Sequence, residues 1–186
     1  LMEERLTALT SGPLSERLGP TEIWVGCGSP AAVARAARHG CSLLLQATVS
    51  RRRLGELKAQ WEAEVVARPG RTPRFGVMRE VWVDDNPRRL EWVRGRLFEM
   101  WRHYSNFWVD DPVAERSRRE ELAAQMARLA VFGPPEEVAG ELAGLVAAGV
   151  DTLALRVRFD GVGGDALERC LELLADKVVP TLRAAA

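Results

Sequence analysis

The sequence lacks a long apolar run and a surplus of charge of either sign. No apolar segment approaches the roughly 18 residues that a membrane-spanning helix needs. Lys plus Arg and Asp plus Glu number 26 each, so the formal net charge is zero. This balance gives no electrostatic basis for binding nucleic acid or an anionic membrane, and neither is expected as a partner. Only two of the cationic residues, Lys58 and Lys177, are lysines, which says little about function.

Cysteine is also scarce, with three residues at unrelated spacings (Cys27, Cys41 and Cys170) and no CxxC pair. Neither a disulfide framework nor a zinc site follows from that pattern, and no metal site is predicted. The N-terminus lacks the basic-then-apolar layout of a signal peptide. We therefore expect a cytoplasmic, reduced protein.

The 186 residues are 47% hydrophobic and 28% charged, which excludes intrinsic disorder and predicts one domain, residues 1–186. Apolar runs of strand length alternate with segments of helical periodicity. The predicted strands are 22–26, 42–46, 75–83 and 151–159, and the predicted helices are 2–9, 30–39, 50–67, one starting at 87, about 113–129, one ending at 149 and 165–177. Alternation of this kind predicts an α/β fold with parallel strands and crossover helices.

The most informative segment follows the first predicted strand. Gly26 and Gly28 allow a ligand to approach the backbone, and Ser29 precedes Pro30 as the N-cap of a helix. The free N–H groups of residues 31 and 32 would then point toward an anion such as a phosphate. The alternative is an ordinary capped helix after a permissive turn.

The same residues also match the dinucleotide fingerprint, as Gly26-x-Gly28-x-x-Ala31. That motif needs an acidic residue about 20 positions later to bind a ribose hydroxyl. The sequence instead has Arg51–Arg53 there, which could hold the 2′-phosphate of NADP. An NADP-binding Rossmann domain is therefore a further alternative.

Other candidate residues favour structural roles. Cys27 could be a thiolate at a helix N-terminus, although a small buried filler is the commoner role. His39 ends a helix and is expected to be a cap or a surface residue. His103 lies among four aromatic residues (Trp101, Tyr104, Phe107 and Trp108). Such a cluster is expected in the core or at an interface rather than as an aromatic cage around a ligand.

The remaining polar turns give no catalytic constellation. The acidic residues of two turns, Asp84 and Asp85 and then Asp110 and Asp111, have no histidine at metal-ligand spacing. The loop 161–164 follows the last predicted strand, where barrels often hold phosphate, but it could equally be a connection. No nucleophile–base pair can be assembled, so the catalytic residues stay unknown.

Four segments, in order, resemble the luciferase-like monooxygenase family, which includes FMN-dependent monooxygenases and deazaflavin-dependent oxidoreductases. The first runs from Trp24-Val25-Gly26-Cys27-Gly28-Ser29-Pro30-Ala31-Ala32 to Gly40 and resembles the middle segment of that family. The second, Val81-Trp82-Val83-Asp84-Asp85 with the helix after it, resembles its seventh barrel strand and helix. The third, from Phe132-Gly133-Pro134-Pro135-Glu136-Glu137 to Asp151, and the fourth, from Leu155 to Arg183, resemble its last helices and strand.

The resemblance implies strands five to eight of a TIM-type (β/α)₈ barrel, here about half a barrel, and favours this fold over the Rossmann alternative. It implies that Gly28, Ser29 and the N–H of Ala32 help to hold a flavin phosphate, with FMN preferred and a deazaflavin coenzyme as the alternative. The implied function is oxidation of a small organic substrate by reduced flavin and oxygen, with a flavin reductase as a partner.

The resemblance also implies that the family's first four strands should precede residue 20. We therefore expect a second copy of the chain, in a homo-oligomer, or a separate N-terminal half to complete the barrel. The alternative is an inert half-barrel that binds flavin weakly or serves as an assembly subunit.

Overall fold

The computed structural model describes residues 2–11, 13–18, 21–68, 70, 72–105, 117, 120, 121, 124, 125 and 128–185. The chain forms two compact units. The first contains the described residues up to Met78 together with Gly149–Ala154, and the second contains those of Arg79–Ala148 and from Leu155 onward.

Strands alternate with helices along the chain. The strands are β1 (Trp24–Cys27), β2 (Ser42–Leu45), β3 (Phe75–Val83), β4 (Val131–Gly133) and β5 (Thr152–Arg156). The α-helices are α1 (Met2–Ser11), α2 (Pro13–Leu18), α3 (Pro30–Arg38), α4 (Arg51–Glu64), α5 (Pro87–Ser105), α6 (Pro135–Ala147), α7 (Asp165–Leu173) and α8 (Val179–Ala185). None of these helices combines the length and the hydropathy that a membrane crossing needs.

In the first unit, β2 lies between β1 and the start of β3, parallel to both. Leu43 and Leu45 of β2 are fully buried, and so are Val33, Ala36 and Ala37 of α3. The ring of Trp61 on α4 lies 5.6 Å from that of Phe75. Buried apolar strand residues together with the buried faces of these helices are the arrangement expected of βα units.

In the second unit, the end of β3 pairs in parallel with β4, from Val81↔Val131 to Val83↔Gly133. Every residue of β3 except Met78 is buried, because helices and neighbouring strands cover the strand. The rings of Trp82 and Phe132 both lie against Phe159, at 6.3 and 5.7 Å. Helices α5 and α6 each contribute one apolar face, which includes Val93 and Leu142.

The predicted α/β class with parallel strands is confirmed, and β3 has the predicted bounds. The pattern does not reveal β4, because three residues before two prolines carry no strand periodicity. It also does not reveal α2. β3 pairs with β2, β4 and β5, and among the described residues no pairing joins β4 to β1, whereas the fourth strand of a Rossmann sheet lies beside the first.

The prediction that the last helix stops at Lys177 is wrong. After α7 the chain makes one π-helical turn, Leu174–Val178, and continues as α8. Pro180 is the second residue of α8 and follows the π-helical turn at once. The wider turn before it accommodates the proline and lets the helix continue.

Candidate functional site

The start of α3 has the geometry expected from the sequence. Ser29 is the N-cap, with extended backbone angles (φ −98°, ψ 149°), and Pro30 is the first helical residue. The side chain of Ser29 is exposed and its Oγ accepts a hydrogen bond from the Ala32 N–H at 3.4 Å. The predicted N-cap is therefore confirmed, and it lies at the carboxyl end of β1 with its hydroxyl toward solvent.

The two glycines before Ser29 leave open space. Gly26 is exposed, and a Cβ built on it would meet no atom within 4 Å. A Cβ on Gly28 would make only ordinary contacts, 3.5 Å from Gln46 Oε1 and 3.8 Å from Val49. Neither glycine has a positive φ. Backbone strain and internal packing therefore do not require glycine here, and the open space fits a ligand that lies against the backbone.

The helix offers fewer free donors than the sequence predicts. The Ala32 N–H is already hydrogen-bonded to Ser29, both to Oγ and to the carbonyl oxygen at 3.1 Å. An anion would have to share or replace the bond to Oγ. The Ala31 N–H has no acceptor among the described residues, as is usual at the second position of a helix. The Ser29 hydroxyl and the Ala31 N–H are thus the available donors.

Neighbouring elements hold the start of α3 in place. Gln60 on α4 donates from Nε2 to the carbonyl oxygen of Pro30 at 3.2 Å. The buried face of α3, with Val33 fully inaccessible, packs in the first unit. The first turn of α3 contains no acidic residue. A fixed helix start with no acidic residue in its first turn can bind a phosphate through backbone N–H groups and the helix dipole.

The arginines at the start of α4 make local contacts. Ser50 caps this helix through the Arg53 N–H at 3.3 Å. Arg53 and Arg52 both pair with Glu56, at 2.7 and 3.3 Å. These contacts fit the solvated helix start that is the simpler interpretation of the three arginines.

The thiol beside the candidate site is not activated. Cys27 is buried, and burial raises the pKa of its thiol to about 11. The thiol is therefore protonated at neutral pH, so Cys27 is the buried filler rather than a thiolate.

The two histidines have different surroundings. His39 is the C-cap of α3, as expected, but its side chain is buried rather than on the surface. Its ring contacts α1 through Glu3 and Thr10, and the sequence pattern does not reveal this contact. His103 is exposed on α5, near the paired rings of Trp101 and Tyr104 (6.0 Å apart). Phe107, Trp108, Asp110 and Asp111, and most of the predicted helix 113–129, lie outside the described residues.

The turn after β3 is a helix start. Asp84 is buried, and its Oδ1 accepts the Asn86 N–H at 2.9 Å while Oδ2 lies 3.0 Å from Arg89 Nε. Asn86 in turn accepts the Arg88 N–H at 3.0 Å. Asp85 is exposed. Within the described residues no group of three His, Cys, Asp or Glu side chains could bind a metal.

The loop after β5 is less suited to an anion than the start of α3. Gly161 and Gly164 have positive φ values of 74° and 56°. The guanidinium of Arg96 fills the space beside Gly161, and Arg96 Nε donates to the Asp160 carbonyl at 2.8 Å. The first turn of α7 is acidic, with Asp165 and Glu168, which opposes a bound phosphate.

Sequence reasoning missed a buried ion pair in the second unit. Glu80, in the middle of β3, is fully buried, and its Oε1 accepts a hydrogen bond from Arg156 at the end of β5. The Arg156 guanidinium lies 5.5 Å from the centre of the Trp101 ring. A charged residue inside a buried strand is the one signal that could have identified Glu80, because carboxylates are almost never fully buried without a partner.

Comparison with known proteins identifies the family. The model of the luciferase-like monooxygenase family matches residues 4–152. No functionally curated protein matches the chain in sequence.

Three solved structures show the fold. Monooxygenase RslO1 from Streptomyces bottropensis is 19% identical (TM-score 0.61), with 86% of this chain and 47% of that chain covered. The oxygenating constituent of 3,6-diketocamphane monooxygenase from Pseudomonas putida, solved with FMN, is 16% identical (TM-score 0.55; 86% and 48% covered). An F420-dependent secondary alcohol dehydrogenase is 14% identical (TM-score 0.60; 88% and 49% covered).

The chain thus spans about half the length of these structures. Their likeness supports the predicted TIM-type α/β class, with part of a barrel present in this chain. The family match covers most of the chain and includes the segment with Gly28 and Ser29. The chain therefore belongs to the luciferase-like monooxygenase family.

Proposed function

We propose that this chain is the flavin-phosphate-binding part of a flavin-dependent oxidoreductase of the luciferase-like class. The observation that carries the proposal is the start of α3, in a chain of this family: an exposed Ser29 cap after Gly26 and Gly28, beside open space. The Ser29 hydroxyl and the N–H groups at the helix start would hold the phosphate, and Gly28 would let it approach. Ala32 would contribute its N–H by exchanging its bond to Ser29.

FMN is the cofactor we favour, and a deazaflavin coenzyme is the alternative. Related folds occur in a protein solved with FMN and in one solved with an F420-acetone adduct. When bound, the flavin ring would supply the redox chemistry, and the protein would position it and exclude water. With FMN, a flavin reductase would supply reduced flavin, which would react with oxygen and a small organic substrate. We expect the protein to work in the cytoplasm.

A complete active site requires a second set of strands. β1 pairs only with β2 among the described strands, and Trp24 and Val25 are half-exposed on it. Solved relatives are about twice as long as this chain. We propose that strands from an N-terminal half, or from a second copy, pair along β1, because an exposed strand edge favours such pairing.

The phosphate site can be tested with two matched variants. Ser29→Asp and Ser50→Asp both keep an N-cap, because aspartate caps helices as well as serine does. Only the first places a carboxylate at the proposed phosphate site. We expect Ser29→Asp to weaken FMN binding about tenfold or more, because its carboxylate would repel the phosphate directly. We expect Ser50→Asp, at the start of α4, to weaken it less, because water and salt screen a charge that does not touch the phosphate. Flavin fluorescence during titration measures both.

Riboflavin, which lacks the phosphate, separates phosphate binding from ring binding. Its affinity should be the same for wild type and Ser29→Asp. Equal losses of FMN affinity in the two variants would contradict the phosphate assignment. Absence of saturable FMN and F420 binding, both for this chain alone and for the chain co-expressed with an N-terminal half-barrel, would contradict the proposed function and favour an assembly subunit.

Sedimentation velocity tests how the barrel is completed. A dimer that Val25→Lys converts to a monomer would show that a second copy pairs along β1. A monomer that binds an N-terminal half-barrel only when Val25 is unchanged would show that a separate half completes the fold. Association that is insensitive to Val25→Lys would contradict pairing at this edge.

A further inference from the structure

Helix α1 contacts the end of α3 through four polar side chains, which we call the His39 cluster: Glu3, Thr10, Arg35 and His39. The His39 side chain is 9% exposed. Its Nε2 lies 2.8 Å from Glu3 Oε1, and its Nδ1 lies 3.2 Å from Thr10 Oγ1. Both ring nitrogens of His39 therefore contact α1.

The available hydrogens determine the charge that suits this arrangement. The Thr10 hydroxyl has one hydrogen and donates it to the Leu6 carbonyl oxygen at 2.8 Å. Toward Nδ1 of His39, the hydroxyl oxygen can then only accept. The Glu3 carboxylate also only accepts. With the hydroxyl in this orientation both nitrogens donate, and only the imidazolium has a hydrogen on each nitrogen.

The charges around His39 come from three segments. Glu3 on α1 bridges His39 and Arg35 of α3, whose Nε lies 2.9 Å from Glu3 Oε2. Arg68, after α4, packs over Gly40 and donates from Nη1 to Ser11 Oγ at 3.2 Å. The two arginines oppose a positive charge on His39. The directly bonded carboxylate and the negative end of the α3 dipole favour it.

One further titratable group contacts His39 through the backbone. The buried Cys41 lies on the carbonyl side, with its Sγ 3.9 Å from the His39 oxygen. That contact does not involve the ring nitrogens, so Cys41 does not compete for the hydrogens that the cluster uses.

We propose that the His39 cluster is a pH-sensitive lock that docks α1 on α3 when His39 is charged and loosens when it is neutral. Neutral His39 would have one N–H, and the cluster could keep its contact to Glu3 only if the Thr10 hydroxyl turned from Leu6 to Nδ1. That change removes one hydrogen bond inside α1 and the attraction to Glu3. Histidine is the side chain that ordinarily changes charge between pH 5 and 8.

The direction of the effect follows from both partners. The attraction between His39 and Glu3 needs both charges, so raising the pH, which favours the neutral imidazole, weakens it. The hydrogen bond from His39 is the main cause that holds the pKa of Glu3 below its usual value of 4.5, so the carboxylate stays charged in mild acid. Docking of α1 should therefore be tightest in mildly acidic solution.

Amide hydrogen exchange of the whole chain tests the lock. After correction for intrinsic exchange rates, protection of the amides of residues 6–11 should fall about fivefold from pH 5.5 to pH 8.5 in the wild type. In His39→Gln and Glu3→Gln the ratio should be close to one. The nitrogen-15 spectrum of the His39 ring should show both nitrogens protonated at pH 5.5.

Two threonines of α1 provide a matched control. Thr7 makes the same kind of bond as Thr10, from Oγ1 to the Glu3 carbonyl at 3.0 Å, and lies on the exposed surface. Thr10→Val should reduce the pH ratio, and Thr7→Val should leave it unchanged. An equal pH ratio in wild type and His39→Gln, or a singly protonated ring at pH 5.5, would overturn the proposal.

Discussion

One ion pair lies just before β3 and another involves a residue in the middle of β3, and their surroundings differ. Arg74, just before the strand in the first unit, pairs with Glu22, and the two side chains are 49% and 29% exposed. Glu80, in the second unit, pairs with Arg156, and the two side chains are 1% and 32% exposed. The carboxylate is therefore in contact with water in the first pair and almost completely buried in the second.

The exposed pair is fully satisfied, whereas the buried pair is not. Glu22 Oε1 accepts hydrogen bonds from Ser42 Oγ at 2.6 Å and Arg74 Nε at 2.9 Å. In the buried pair, Glu80 Oε2 and Arg156 Nε have no hydrogen-bond partner within the described part of the chain. A buried charge without a partner costs free energy. Removing one partner of a buried pair therefore lowers the stability by more than the pair itself contributes.

Breaking the buried pair should have the largest effect. Arg156→Met would leave the Glu80 carboxylate buried without a counter-charge, which costs about 3–5 kcal/mol of the free energy of unfolding. Urea unfolding at pH 7 measures the difference. A loss below about 1 kcal/mol, the size typical of exposed pairs, would show that Glu80 is solvated and would remove the contrast between the two pairs.

Replacing both buried partners should cost less than replacing one. The double variant Glu80→Met with Arg156→Met leaves no buried charge, so we expect it to recover about 2 kcal/mol or more relative to Arg156→Met. The same urea unfolding series provides the value. A double variant as unstable as the single one would mean that the pair orders β3 in a way that apolar side chains cannot replace.

Breaking the exposed pair should have a smaller, pH-dependent effect. The hydrogen bond from Arg74 is the main cause that lowers the pKa of Glu22 to about 2. Because the folded-state pKa is depressed, the stabilisation is present above the unfolded value near 4.5 and is lost as pH falls toward 2. Glu22→Gln should cost about 0.5–1 kcal/mol at pH 7 after allowance for solvent screening. Urea unfolding at pH 7 and pH 2.5 should show the difference shrinking at the lower pH.

The contacts that Glu56 makes within one turn of α4 should contribute least. Glu56 contacts Arg52 and Arg53 on the surface of α4. We expect Glu56→Gln to leave the thermal midpoint unchanged within measurement error, because water and salt screen these charges. A clear loss of stability would mean that exposure alone does not rank the ion pairs of this chain.

Local signals predicted much of the fold and the frame of the candidate site. The Ser29-Pro30 start of α3 and the Asn86-Pro87 start of α5 are capping patterns, whose partners lie within three residues. Gly40 has the positive φ (62°) expected after a helix end. Such features depend on neighbours along the chain, so a sequence pattern can reveal them.

Long-range contacts could not be predicted in the same way. His39 meets Glu3 across 36 residues, and Glu80 meets Arg156 across 76. Neither spacing has a periodic signature. The occupied N–H of Ala32 also escaped prediction, because it depends on the rotamer of the Ser29 side chain.

The buried cysteines provide a built-in reporter of opening. All three are free thiols inside the fold, and burial raises the pKa of both Cys27 and Cys170 to about 11. Alkylation of a thiol requires exposure and deprotonation, so a reagent can modify these residues only when the surrounding structure opens. Cys27 and Cys41 belong to the first unit and Cys170 to the second. Labelling followed by peptide mass analysis would therefore measure how fast each unit opens, separately and in the wild-type chain.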